Sequence, residues 1–154
     1  MEIDPENAEG WFWLGYLHSE HLFQYTDAIR FYERALQFNP EEITYKASLA
    51  EALFCSKNFD KSLVLAQDIL STVQDSIVEL NMQFLVICNF FFINRVQDAL
   101  SQIDEHQEII RNLPKEEKND WVYSGIKHFI GLGTISEKHK NILISLIETL
   151  ENLR

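Results

Sequence analysis

Apolar residues recur at spacings of three and four along nearly the whole chain, the period of a helix that buries one stripe. The clearest case follows Asp27, where Ala28, Ile29, Phe31, Tyr32, Ala35, Leu36 and Phe38 form a single stripe. Asn39-Pro40 closes it, because proline cannot continue a helix and disfavours helical backbone in the residue before it. Glu41 and Glu42 then suit the positive end of a following helix. Carried along the chain, the pattern predicts eight helices, at about 8–21, 24–38, 41–56, 59–71, 75–93, 95–112, 116–132 and 136–153. The connections are short, so helices adjacent in sequence should pack antiparallel. No segment alternates with period two for long enough to make a strand, and the expected class is all-α.

The helices come in similar pairs. Trp11-Phe12-Trp13-Leu14-Gly15 supplies Trp-x-x-Leu-Gly in a first helix, and Ala28, Tyr32, Ala35 and Pro40 follow in a second. In this the chain resembles the tetratricopeptide repeat family, a helix–turn–helix unit in which small residues let two helices approach and large ones fill the gap. Two departures stand out: His18 occupies the usual Tyr position of the first helix, and the turn is one residue longer. A weaker copy follows, with Leu49-Ala50 for Leu-Gly, Leu53 for the Tyr, Phe59 in the turn, and Ser62 and Ala66 in the second helix. Lys46 and Gln74 replace its Trp and Pro. A third copy is degenerate: Ala99 and Ile103 fit, but Ile87 falls in the Gly slot. The repeats are thus placed at 5–40, 41–74 and 75–112, with 113–154 a closing helix pair, all within one domain. The resemblance implies a right-handed α-α superhelix.

Ile3-Asp4-Pro5 reads like the close of a preceding repeat, with Pro5 six residues before Trp11, which suggests a chain cut from a longer array. The last expected helix carries Ile142, Leu143, Leu146, Ile147, Leu150 and Leu153 on one side and charged or polar residues on the other, as a terminal cap requires.

Charge narrows the partners. The net charge of −11 repels phosphate, which disfavours nucleic acid and anionic membrane and favours a basic or apolar peptide. Cys55 and Cys88 have no metal-ligand spacing and read as buried reduced thiols. Met1 to Asn7 is acidic and polar, unlike a signal peptide, and the apolar run Phe84–Ile93 is too short to span a bilayer. A cytoplasmic location is the expectation.

The resemblance also implies where a ligand would sit. Members of the family use the first helix of each pair to line a concave face for a peptide or partner helix. Register places Phe12, Trp13, Tyr16 and Glu20 of the first repeat there, with Ser48, Glu51 and Phe54 of the second. The third repeat would add Asn81, Phe84, Leu85, Cys88 and Phe91. Trp11 and Trp13 project about 200° apart on a helix, so only one can enter the repeat's packing seam. Trp11 matches that position, which leaves Trp13 for the groove with Phe12 and Tyr16, where large aromatics make good anchors. The alternative is that the chain's own later helices or a missing repeat cover them. Glu9, Glu20 and Glu51 would make the groove acidic as well as aromatic. Some family members clamp acidic chaperone tails with Lys, Arg and Asn, but the matching positions here include Phe12, Tyr16 and Ser48, so a carboxylate ligand is disfavoured.

Motifs for chemistry are absent. Gly125, Gly131 and Gly133 beside Lys127 fit neither phosphate-loop pattern and should instead end a helix before Thr134. His18-Ser19-Glu20-His21 lacks the spacing of a zinc protease and a third ligand. The sequence therefore points to a module without cofactor or metal that binds a protein or peptide carrying basic residues beside apolar ones. It would act as an adaptor or assembly subunit and not as an enzyme. The alternative is a structural segment of a longer scaffold, or a subunit that self-associates, with no free groove.

Overall fold

The computed structural model describes residues 6–153. Among them are eight α-helices and no strand: α1 (Ala8–Glu20), α2 (Tyr25–Phe38), α3 (Ile43–Cys55), α4 (Phe59–Thr72), α5 (Ser76–Phe92), α6 (Val96–Arg111), α7 (Ser124–Leu132) and α8 (Glu137–Glu151). Ile3-Asp4-Pro5 lies outside the described residues. No described helix is long and apolar enough to cross a membrane.

Consecutive helices pack on one another from α1 through α6, and α1, α3 and α5 also touch in sequence, forming an inner layer flanked by α2, α4 and α6. Small residues make the close approach possible: Ala28, Ala35, Ser62, Ala66 and Ala99 on the flanking helices are fully buried. Gly15 belongs to the same device, since a Cβ there would lie 2.5 Å from Cε1 of the buried Tyr32 ring. Trp11 enters its seam and stacks on Phe31 with ring centroids 6.0 Å apart. His18 also lies against Phe31, and its Nδ1 sits 2.8 Å from the Leu14 carbonyl.

The three turns inside the pairs share one backbone feature. Phe23, Lys57 and Asn94 each have positive φ, at 54°, 69° and 63°, and each stands two residues before the second helix of its pair. In the second and third pairs the turn is closed by Asn58 N–H to Leu53 carbonyl and Arg95 N–H to Phe90 carbonyl, both 2.8 Å. In the first pair the equivalent bond runs from Gln24 to His18 and spans one more residue, the extra residue noted in the sequence. The three turns therefore share backbone geometry although their side chains differ.

Beyond α6 the chain turns back. α7 packs on α1 and α3, and α8 packs on α7 and α5. α5 is left with neighbours on every side, and Leu80 to Phe91 is buried without a break, which explains its long apolar run. Asn89 inside that run donates to Ser62 Oγ (3.0 Å) and the Leu85 carbonyl (3.1 Å), and Ser62 Oγ donates to the Ala50 carbonyl (2.7 Å). These bonds cross from α5 through α4 to α3. On α8, Leu143, Leu146, Ile147 and Leu150 are buried, the stripe expected of a cap.

The seventh helix is the one element placed wrongly from sequence. It was expected over 116–132, but it begins at Ser124, and 112–123 is irregular. The backbone there is bonded elsewhere. Asn119 N–H donates to the Leu153 carbonyl (3.1 Å) and Trp121 N–H to the Asn119 side chain (3.1 Å). The buried Asn119 amide also donates to Tyr123 Oη (2.7 Å) and the Leu150 carbonyl (3.0 Å), and Tyr123 Oη donates to Asn81. A helix would surrender these bonds.

Two substitutions test this account. Gly15→Ala should cost about 1–3 kcal/mol in urea unfolding, because Tyr32 has no room to give way. Lys57→Gly should stabilise the chain by up to about 1 kcal/mol, because glycine removes the left-handed backbone strain from an exposed turn.

Candidate functional site

The return of the C-terminal segment divides the inner face in two. Over α3 and α5 the face is filled. Phe54, expected in the groove, is fully buried and packs edge-on against Phe92 and Phe129, with centroids 5.1 and 5.0 Å away. Asn81, Phe84, Leu85, Cys88 and Phe91 are likewise buried. Phe54 is thus a core residue, because α7 supplies the apolar partner that a free groove would have left open.

Over α1 and the first part of α3 a cleft of about 370 Å³ remains. It is lined by Phe12, Trp13, Tyr16, Glu20, Ser48 and Glu51, all six singled out from the sequence, together with Tyr32, Thr44, Asp120, Trp121 and Val122. A larger depression of about 500 Å³ near Pro114, between α5 and α6, is lined by polar and aliphatic residues and has no aromatic ring.

The cleft's aromatic wall is held from behind. Phe12 is half-buried and stacks on Tyr45 (4.8 Å), with Tyr32 5.7 Å away. That anchors its neighbour Trp13, which remains 53% exposed with its indole N–H 3.3 Å from Glu9 Oε1. Tyr16 meets Trp13 edge-on at 5.3 Å. Trp13 therefore offers an open ring face on a fixed mount.

The floor is unusual. Glu20 and Glu51 were expected as exposed groove acids, but they are 6% and 7% exposed. Glu20 Oε2 accepts the backbone N–H of Gly125 (2.7 Å) and the hydroxyl of Ser124 (3.1 Å), so it caps the first turn of α7 from another helix. Gly125 makes this possible, since a Cβ there would lie 2.7 Å from the Ser19 carbonyl oxygen. Tyr25 Oη completes the clasp by donating to the Gly125 carbonyl (2.8 Å). Glu51 Oε2 accepts the indole N–H of Trp121 (3.1 Å), and its Oε1 is fully enclosed.

Burial raises the pKa of Glu51 well above the usual carboxylate range, and the Glu20 charge raises it further. Burial also raises Glu20, against the opposing bonds from Gly125, Ser124 and Glu51. The two carboxyls lie within hydrogen-bonding reach of each other, and a shared proton held mainly on Glu51 relieves their repulsion. Tyr16 and Tyr32 are pushed up as well, first by burial, with neighbouring glutamate charge adding to it. The cleft lining carries three acids and no lysine or arginine.

Trp121 and Asp120 were missed in the sequence, because they lie about 70 residues from Glu51 in a stretch assigned to a helix. The available signal was negative: Pro114-Lys-Glu-Glu-Lys118 has no apolar stripe to start a helix. Among the described residues no three His, Cys, Asp or Glu side chains gather where a metal ion could sit. No family model, curated protein or solved structure matches the chain.

Replacing Glu51 by Gln keeps an oxygen for Trp121 and removes the buried acid. A raised folded-state pKa means that the carboxyl's contribution is fully present below its unfolded pKa and is lost as pH rises through the folded value. Glu51→Gln should therefore raise the melting temperature more at pH 7–8 than at pH 4. Buried His106, held down to about 4 by burial, acts with the opposite sign between pH 6.5 and 4. It is common to both proteins and cancels in the comparison. An equal effect of the substitution at both pH values would show that the acid is not buried as described.

Proposed function

We propose that this chain is an interaction module of tetratricopeptide type. In this reading α1–α2 and α3–α4 are two repeats, α5–α6 is a third degenerate one, and α7–α8 closes the stack. It binds an extended peptide or helix of a partner protein in the cleft over α1 and α3, as an adaptor or assembly subunit would. The observation that carries this reading is Trp13: a large ring, half exposed, held by Phe12 and Tyr16 at the mouth of an acidic cleft. Buried aromatic anchors supply most of the energy in many interfaces. The acidic lining and the net charge of −11 favour a ligand that presents basic side chains beside apolar ones.

The filled half of the inner face supports the rival scaffold reading for α3 and α5. There the chain's own Trp121, Tyr123, Ile126 and Phe129 occupy the face a ligand would need. This confines the ligand to the open end and makes the site short.

Trp13→Ala removes the exposed anchor and leaves the half-buried Phe12 in place. Proteins captured from the source cell on the wild type should bind this variant more weakly by more than ~1 kcal/mol, with its melting temperature unchanged. An unaltered set of captured proteins, at unaltered affinity, would count against the cleft and for the scaffold.

A further inference from the structure

The two buried acids lie where the C-terminal segment closes over the first helices, and each holds a different part of it. Glu20 accepts the Gly125 N–H (2.7 Å) and the Ser124 hydroxyl (3.1 Å) at the start of α7, and Glu51 accepts the Trp121 indole N–H (3.1 Å). The acids come from α1 and α3, are 6% and 7% exposed, and are hydrogen-bonded to each other. Ionised carboxylates only accept hydrogen bonds, so the bond between them needs a proton on one of the two. The closure therefore stands on a single proton.

The surrounding groups offer that proton no substitute. Tyr16 of α1 and His21 at its end face Glu20. From α2 come Tyr25 and Tyr32, from α3 Cys55 and from α5 Cys88, all pushed up first by burial, with neighbouring negative charge adding to it, so that they stay neutral to pH 9. The strap before α7 brings Asp120, a further acid, and no lysine or arginine lines the cleft. Of these groups His21 alone can carry a positive charge.

We propose that the Glu20–Glu51 pair is a proton-operated latch: with its proton in place Trp121 and the first turn of α7 stay docked, and when the proton leaves, two like charges lift the Asp120–Val122 strap from α3 and admit water to the cleft floor. The opening is local because the segment is pinned on either side. The Asn119 amide donates to the Leu150 carbonyl, Tyr123 Oη donates to Asn81, and Phe129 packs against Phe54 and Phe92. What remains to move is one wall of the cleft and the bonds from Glu20. Burial raises both carboxyls above their usual range, so the latch holds through acid pH and opens as pH rises through the folded pKa of the pair. It acts whatever the cleft binds.

The test follows hydrogen exchange by NMR on the intact chain from pH 5 to 9. One proton governs closure, so protection of the Gly125 amide and of the Trp121 indole N–H should fall about tenfold per pH unit above the transition. The Asn119 amide, bonded to the Leu153 carbonyl, should keep its protection within twofold. The carboxyl-carbon signals of Glu20 and Glu51 should shift with the same midpoint. Glu51→Gln supplies an amide donor in place of the proton and keeps an oxygen for Trp121, so Gly125 protection should then stay within twofold across the range. His21→Gln should leave the fall in place. Wild-type protection that does not change with pH, or that falls equally at Asn119, overturns the latch. So does a fall that survives Glu51→Gln or vanishes with His21→Gln. The exchange and carboxyl signals of the wild type decide the outcome even if a variant does not fold.

Discussion

The chain must bring its C-terminal segment back across helices laid down earlier, and a single buried carboxylate governs that return. Glu20, the last residue of α1, accepts two bonds at the first turn of α7, more than a hundred residues away in sequence. The backbone N–H groups at a helix start have no partner within the helix, so an end placed in the interior needs an acceptor from elsewhere. With α7 fixed there, Phe129 enters the ring cluster of Phe54, Phe59 and Phe92, and Trp121 lies over Glu51. The division of the inner face into a filled part and an open cleft follows from where this one helix begins.

The helices and their pairing were legible because the signals are local. Apolar periodicity, Pro40 and the small residues of α2 and α4 each act within one pair, and the structure places all of them as expected. The error at 116–132 has the opposite character. Nothing near Asn119 in the sequence says that its amide will bridge α5 and α8, and those long-range bonds hold the segment out of a helix. Local reasoning likewise assigned Gly125 to helix ending. Its role depends on the carbonyl of Ser19, which only the folded chain brings close.

The site shows the same boundary. Register along α1 and α3 brought Phe12, Trp13, Tyr16, Glu20, Ser48 and Glu51 to one face, and they do line one cleft. Phe54 lies one helical turn past Glu51 on α3, and there α7 has already covered the face. Burial of the acids was invisible for the same reason. A glutamate on a helix face reads as solvated until another element closes over it, and here that element is Asp120–Val122 and the start of α7.

The two acids divide their work by which oxygens are occupied. Glu20 holds α7 through Oε2, and its loss would release a helix. Glu51 spends one oxygen on Trp121, and its carboxyl shares a proton with Glu20. A purely structural role would be served as well by an amide, which carries no charge to bury. Retaining an acid there makes the fold less stable at neutral pH than it need be. That cost has a compensating use if a cation enters. A basic side chain then meets an acidic cleft walled by aromatic rings, where charge-assisted bonds are stronger than at an open surface. The same carboxyl that weakens the free protein would thus make binding selective for charge, and structural support and recognition are carried by neighbouring side chains on different helices.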